Sequence, residues 1–208
     1  MIEGLYNTIK ITLGALVIGV LLGTLIAVTK YFSEDVPVLK PLAKVLDIYV
    51  TAIRGIPVVV LLLVFYYVIM TSSEGVVVGV ITFGINSSAY MAELIRSGIN
   101  AVDPGQMEAG RSLGMSKAQA MAKIVLPQAV KYILPAIGNE FVALLKETSV
   151  AGYVAVVDLT RAGNLVRNNT FDAINPLFTI AITYLIMTVG LTRILAAVER
   201  RLAKSDKG

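Results

Sequence analysis

The sequence contains no cysteine, no histidine and no tryptophan. Without cysteine there are no disulfides and no thiolate metal sites, and without histidine the commonest general base and metal ligand is gone. Charge is the third scarcity: Asp, Glu, Lys and Arg make up 15% of the 208 residues, against 56% hydrophobic residues and a mean hydropathy of +0.78. A soluble globule needs about twice that charge density on its surface to stay dispersed. The composition therefore excludes most enzymology and points to a bilayer. The net charge of +4 is read as a record of membrane topology, and no nucleic-acid partner is expected.

The few charges leave long gaps. Ile11 to Thr29, Gly55 to Ser73, Gly75 to Ala92 and Ala173 to Thr192 are free of charge over 19, 19, 18 and 20 residues, each close to the ~20 residues that cross a bilayer core of roughly 30 Å. A fifth candidate, Ile124 to Leu145, is interrupted by Lys131, Pro135 and Glu140. The first gap exceeds the usual apolar length of a signal peptide and no small-residue cleavage site follows it, so it is read as a retained span. The expected fold is an all-α integral membrane protein with five transmembrane helices in a single domain over residues 1–208.

Basic residues orient the spans. With the N-terminus outside, the inner side receives Lys30, Lys40, Lys44 and Arg54, then Arg96, Arg111, Lys117, Lys123 and Lys131, then Arg193, Arg200, Arg201, Lys204 and Lys207. Those are 14 of the 18 basic residues, a strong positive-inside bias. Arg161 and Arg167 fall in an outer loop, and Lys10 and Lys146 near outer span ends. The predicted topology is N-out and C-in, a multi-pass protein of a cell membrane surrounded by lipid.

Between the third and fourth spans lies the largest inner segment, about Arg96 to Lys123. Its stretch Gly105 to Ser112, GQMEAGRS, is one letter from the phosphate-binding pattern G-x-x-x-x-G-K-[ST]. That pattern requires a preceding β-strand and a Lys that reaches the phosphates, whereas position 111 is Arg and the residues before Gly105 are the polar end of a span and a turn. No ATP site of the chain's own is expected. The punctuation instead predicts two short helices: Asp103 as an N-cap with Pro104 and Gln106 behind it, Gly114 as a C-terminal stop, and Ser116 with Gln119 as a capping box. Pro127 is expected early in the next span. Two other matches are cheap: Asn168-Asn169-Thr170 satisfies a glycosylation sequon, and Gly19-x-x-x-Gly23 suggests a close helix-packing face.

The run from Glu108 to Pro127, EAGRSLGMSKAQAMAKIVLP, resembles the EAA motif of ABC importer permeases, whose form is E-A-A, three residues, G, nine residues, I-x-L-P. Glu108, Ala109, Gly114, Ile124, Leu126 and Pro127 fall in register, and Gly110 stands where the second Ala would be. Flanking words, SSAYMAELIRSGINAV and LPAIGNEFVALLKETSV, are similar to permeases of polar amino acid importers of the histidine, glutamine and arginine type, and the similarity covers about Thr8 to Arg201. The resemblance implies the type I ABC importer permease fold and a pore-forming subunit without ATPase. It further implies a second permease subunit, homodimeric or a sister chain, two cytoplasmic ATPase subunits that bind ATP and Mg, and an extracytoplasmic amino acid-binding protein, all at a prokaryotic inner or plasma membrane. The loop 103–127 would be the coupling helix that docks on the ATPase, through Glu108, Ala109, Gly110, Arg111, Leu113 and Gly114.

Polar groups inside the spans complete the expectations. A charge near the bilayer centre costs on the order of 2.5 to 3.5 kcal/mol, so such groups usually face a partner or a cavity. Asn86, Ser87, Glu93, Arg96, Glu140 and Asp158 are the candidate substrate-binding residues, since a free amino acid needs acceptors and donors together, with the Lys146/Glu147 pair as a further supply. Glu93 and Arg96 also fit a plain i, i+3 ion pair. Asp158 and Glu74, near outer span ends, lean toward a cationic substrate or serve solvation. A transporter or channel that works without an ATPase, and a membrane scaffold, are the alternative function classes; polar residues inside spans argue against the scaffold.

Overall fold

The computed structural model describes residues 1–204, with side chains through residue 200. Of the inner basic residues expected in the tail, Lys207 and the side chains of Arg201 and Lys204 lie outside the described residues. The described chain is helical throughout, without strands. Four helical segments are long and apolar enough to cross a membrane: Ile2–Phe32, Gly75–Asn100, Lys117–Val154 and Ile174–Arg200. They match four of the five predicted spans.

The second predicted span takes a different form. The apolar run 55–73 holds helix α3 (Val58–Val64), continued to Ile69 by a wide turn, and α3 follows α2 (Lys40–Gly55) after a bend of 106°. At ~1.5 Å per residue Val58–Ile69 covers about 18 Å, short of the bilayer core. Pro57 causes the break, because it has no amide hydrogen to donate and its ring disfavours helical backbone at the residue before it. Ile56 is accordingly extended, at φ −100° and ψ 129°. Only the bent pair taken together brings the number of spans to five.

α1 (Ile2–Phe32) and α4 (Gly75–Asn100) form the central pair, and glycines on both helices let them touch. A Cβ at Gly23 would lie 2.5 Å from the Met91 Cβ, and one at Gly19 would lie 2.7 Å from the Ser87 hydroxyl oxygen. The Gly19/Gly23 face expected from the sequence is thus the seam between the two helices, and a large side chain there would force overpacking worth typically 1–3 kcal/mol. Above the seam, Ile11, Ala15, Val78 and Phe83 join Leu62 of α3 and Leu144 in one apolar cluster. Below it, Ala27, Ile95, Val125, Ala129 and Ile133 form a second.

The fourth span begins inside the predicted loop. α5 (Pro104–Ser112) stands alone, but α6 (Lys117–Ala120) runs through a wide turn, Met121–Val125, into α7 (Leu126–Glu147). Pro127 does not separate them: the Leu126 amide bonds back five residues to the Met121 carbonyl, and the proline follows at a position where a missing donor is tolerated. Loop helix and span are one continuous rod. After a tight turn, Thr148–Val154, the amphipathic α8 (Leu159–Thr170) lies at the outer end, and α9 (Ile174–Lys204) packs on α7 and α8 at the periphery. The sequon residues Asn168 to Thr170 end α8.

The positive-inside bias makes the orientation testable: a reporter fused after the last helix should be active only in its cytoplasmic form. Activity of the extracytoplasmic form would overturn the N-out, C-in orientation.

Candidate functional site

Midway along the central helices, α4 and α7 present polar groups to each other. The Ser87 hydroxyl donates to a Glu140 carboxylate oxygen at 3.2 Å, and Gly19 on α1 leaves the space in which Ser87 turns. Asn86, the neighbouring residue on α4, is 3% exposed. One turn toward the outer end, on the side of α4 that bears Asn86, Thr82 is fully buried and its hydroxyl has no hydrogen-bond partner among the described residues. Glu140 makes no salt bridge among the described residues. Thr82, Asn86 and Ser87 thus lie within two turns of α4, in a region where each unpaired polar group is costly, and of the three it is Ser87 that contacts Glu140.

Of the six predicted substrate residues, the structure joins Ser87 to Glu140, leaves Asn86 beside Ser87 on α4, and separates the other three. Glu93 and Arg96 sit about 9 to 14 Å further along α4, at ~1.5 Å per residue. There the Arg96 guanidinium donates to Glu93 at 2.7 Å, and Lys30 bridges Glu93 at 3.5 Å and Asp47 at 2.7 Å. These charges compensate one another, and Glu93 and Arg96 form the i, i+3 pair that the spacing allows. Asp158 lies apart from this contact, beside a cavity lined also by Tyr153, Arg161 and Asn164. It is 0% exposed at the outer end and caps α8, accepting amide hydrogens from Thr160 at 3.0 Å and Arg161 at 3.1 Å. Burial pushes its carboxyl above the ordinary carboxylate range, and those amide bonds oppose the shift. Lys146 is exposed and forms no salt bridge with Glu147.

The inner loop is built largely as its punctuation predicts. The Asp103 carboxylate caps α5 through the Gly105 amide at 2.8 Å. Gln106 does not complete a capping box; its side-chain oxygen accepts from Gln128 of α7 at 3.1 Å, tying the loop to the span. At the other end the Gly114 amide bonds to the Arg111 carbonyl and the Met115 amide to the Gly110 carbonyl, with Gly114 at φ +83°. This is a Schellman motif, and its left-handed residue is the glycine. Ser116 and Gln119 form the reciprocal capping box at 2.9 and 3.2 Å. Glu108, Ala109, Arg111, Leu113 and Gly114 face solvent, and Leu113 is 78% exposed. Gly110 alone is buried, because a Cβ there would meet Ala120 and Ile124 at 2.9 and 2.8 Å. It supports the exposed face from beneath.

Some polar partners escaped the sequence reading. The Tyr49 hydroxyl reaches from α2 to the Ser88 hydroxyl at 2.7 Å and the Ile85 carbonyl at 3.1 Å. Arg54, at the break in the second span, lies 5.2 Å from the centroid of the Tyr90 ring. Pro57 is the local signal that marked this region, and the long uncharged run hid it.

Solved structures share this fold. An amino acid ABC transporter crystallised with histidines contains a chain 44% identical to this one, with a TM-score of 0.89 over 96% of this chain and 92% of that one. The inward-facing MetNI methionine ABC transporter shares the fold at 18% identity, with a TM-score of 0.84 over 97% and 95%. Among curated sequences, the probable glutamine ABC transporter permease protein GlnM of Bacillus subtilis (strain 168) is 37% identical over 206 residues, 98% of this chain and 93% of that protein. The arginine transport system permease protein ArtQ of the same organism is 33% identical over 211 residues, 99% and 94%. Residues 10–204 match the family described as binding-protein-dependent transport system inner membrane component, and the chain belongs to that family of multi-pass permeases.

Proposed function

We propose that this chain is the pore-forming subunit of an ATP-driven importer for polar amino acids, with a preference for cationic side chains. In this reading two permease subunits form the pathway, an extracytoplasmic binding protein delivers the amino acid, and ATPase subunits dock on the exposed face of α5. The observation that carries the substrate class is the Ser87–Glu140 contact at 3.2 Å, beside buried Asn86 and the unpaired Thr82 hydroxyl. An anionic group without a fixed counter-ion inside a membrane is stabilised by a mobile cation that passes it. An ammonium or guanidinium group supplies one. The names of the relatives, which include glutamine and arginine permeases, support amino acids as the class.

The loop around Gly105 supports a division of labour. It opens with a turn and a capped helix rather than a strand, and Arg111 faces solvent, so the chain binds no ATP or Mg of its own, and hydrolysis belongs to the docked subunit. The test is reconstitution in liposomes with a cognate ATPase and binding protein. Uptake of labelled arginine is expected only when all components and ATP are present, and the purified permease alone is expected to hydrolyse none. Uptake that persists without ATPase would favour the ATPase-independent transporter.

A further inference from the structure

Beside the apolar packing of Ala27 and Tyr31 with Met121 and Val125, one charged side chain of α6 reaches the inner end of α1. The Lys117 ammonium lies 2.7 Å from an Asp35 carboxylate oxygen and 3.7 Å from one of Glu34, and 5.2 Å from the centroid of the Tyr31 ring. Tyr31 belongs to the last turn of α1, and Glu34 and Asp35 to the turn that follows it. The loop has a second anchor, the Gln106–Gln128 hydrogen bond to α7. The two anchors lead to opposite sides of the Ser87–Glu140 contact: α1 packs along α4, which carries Ser87, and α7 carries Glu140. A displacement of the loop is therefore delivered to both halves of the polar site, provided that both anchors hold.

We infer that Lys117 is a positioning residue of the transport cycle, a latch that transmits movement of the inner loop to α1 and so sets the α1/α4 pair against α7. This rests on the reading of the loop as the docking element. An exposed ion pair adds little to stability, and the side chains concerned are 35%, 71% and 49% exposed for Lys117, Glu34 and Asp35. The arrangement matters through where it attaches. Lys117 lies on α6, past the Gly114 stop, and is not one of the docking residues of α5, although it lines a cavity together with Arg111. The amount of ATPase that co-purifies separates the two roles. The reversal of charge sets a cluster of three acidic groups at the joint, and like charges that close repel.

The experiment uses the assembled complex in liposomes and reads transported arginine per ATP hydrolysed. Lys117→Glu is expected to lower this ratio about fivefold, the factor typical of a modest coupling free energy, while the ATPase subunit co-purifies in wild-type amount. Combining it with Glu34→Lys and Asp35→Lys is expected to restore the ratio to within about twofold of wild type, because the attraction is re-established with its sign exchanged. An unchanged ratio in the single variant, or no recovery in the triple variant, overturns the latch. Loss of the ATPase from the single variant also overturns it, since Lys117 would then be a docking contact. A wild-type permease that retains no ATPase at all fails at the earlier step and removes the docking reading together with the latch.

Discussion

Replacing Glu140 with glutamine is expected to cut the uptake of arginine, lysine or histidine about thirtyfold per assembled complex, while the yield of complex stays at the wild-type level. Truncating one partner of a desolvated charge pair costs about 2 kcal/mol or more, and glutamine keeps the size of the side chain while removing its charge. Ser87 can still donate to the glutamine oxygen, so the α4–α7 contact of 3.2 Å survives in the variant. Glycine at position 19 and the apolar clusters on either side of the contact do not depend on that charge. Uptake of neutral glutamine is expected to fall less. The affinity of the delivering protein, measured separately, stays unchanged. Normal uptake per complex for every substrate, with only the yield reduced, would assign Glu140 to helix packing and place the amino acid elsewhere.

The second large effect is expected at Gly114, where valine should reduce substrate-stimulated ATPase activity of the assembled complex about tenfold or more. Crowding is not the reason, because a Cβ at Gly114 would have no neighbour within 4 Å. The cost lies in the backbone: at φ +83° a side-chain-bearing residue loses on the order of 1–2 kcal/mol, and a β-branched one more. The chain would relieve that strain by giving up the Met115–Gly110 and Gly114–Arg111 bonds that end α5, and Leu113 with its exposed neighbours would lose their fixed position. Gly114→Asn is the control, since asparagine enters the left-handed region far more readily, and it should retain most of the stimulation. Full stimulation in Gly114→Val would show that the turn has no part in coupling.

Much of the inner loop was legible because its signals are short-range. The Asp103 cap, the Gly114 stop and the Ser116/Gln119 box each depend on residues within five positions of one another, and all three form. Gln106 marks the limit of such reasoning: its spacing from Asp103 suits a capping box, but Gln128, 22 residues away, offers a partner that local spacing does not reveal. The substrate residues divided for the same reason. Glu93 and Arg96 allow both a site and, more readily, a plain pair, and what the structure adds is Lys30 arriving from α1 and bringing Asp47 of α2 with it. Asp158 reads as a charge near the mouth of a pathway, and the start of α8 turns it into a buried cap. Thr82 and Tyr49 carried no signal in sequence, since a threonine and a tyrosine are ordinary where they stand, and Lys117 carried only its place among the inner basic residues.

The sequence by itself determined the membrane class, four of the spans and the capped inner loop, and it predicts their orientation, because uncharged run length, the side on which basic residues fall and helix capping are all properties of neighbouring positions along one chain. Only the tertiary structure decided which polar groups meet. A helix can bury any of its faces, and the face chosen by α4 was set by where glycines at 19 and 23 let α1 approach. That rotation turned Ser87 toward Glu140, 53 positions away, and placed Glu93 within reach of Lys30. The break in the second span lay between the two levels: Pro57 announced it locally, but how far α3 turns away from α2 depended on the apolar cluster into which Leu62 settles.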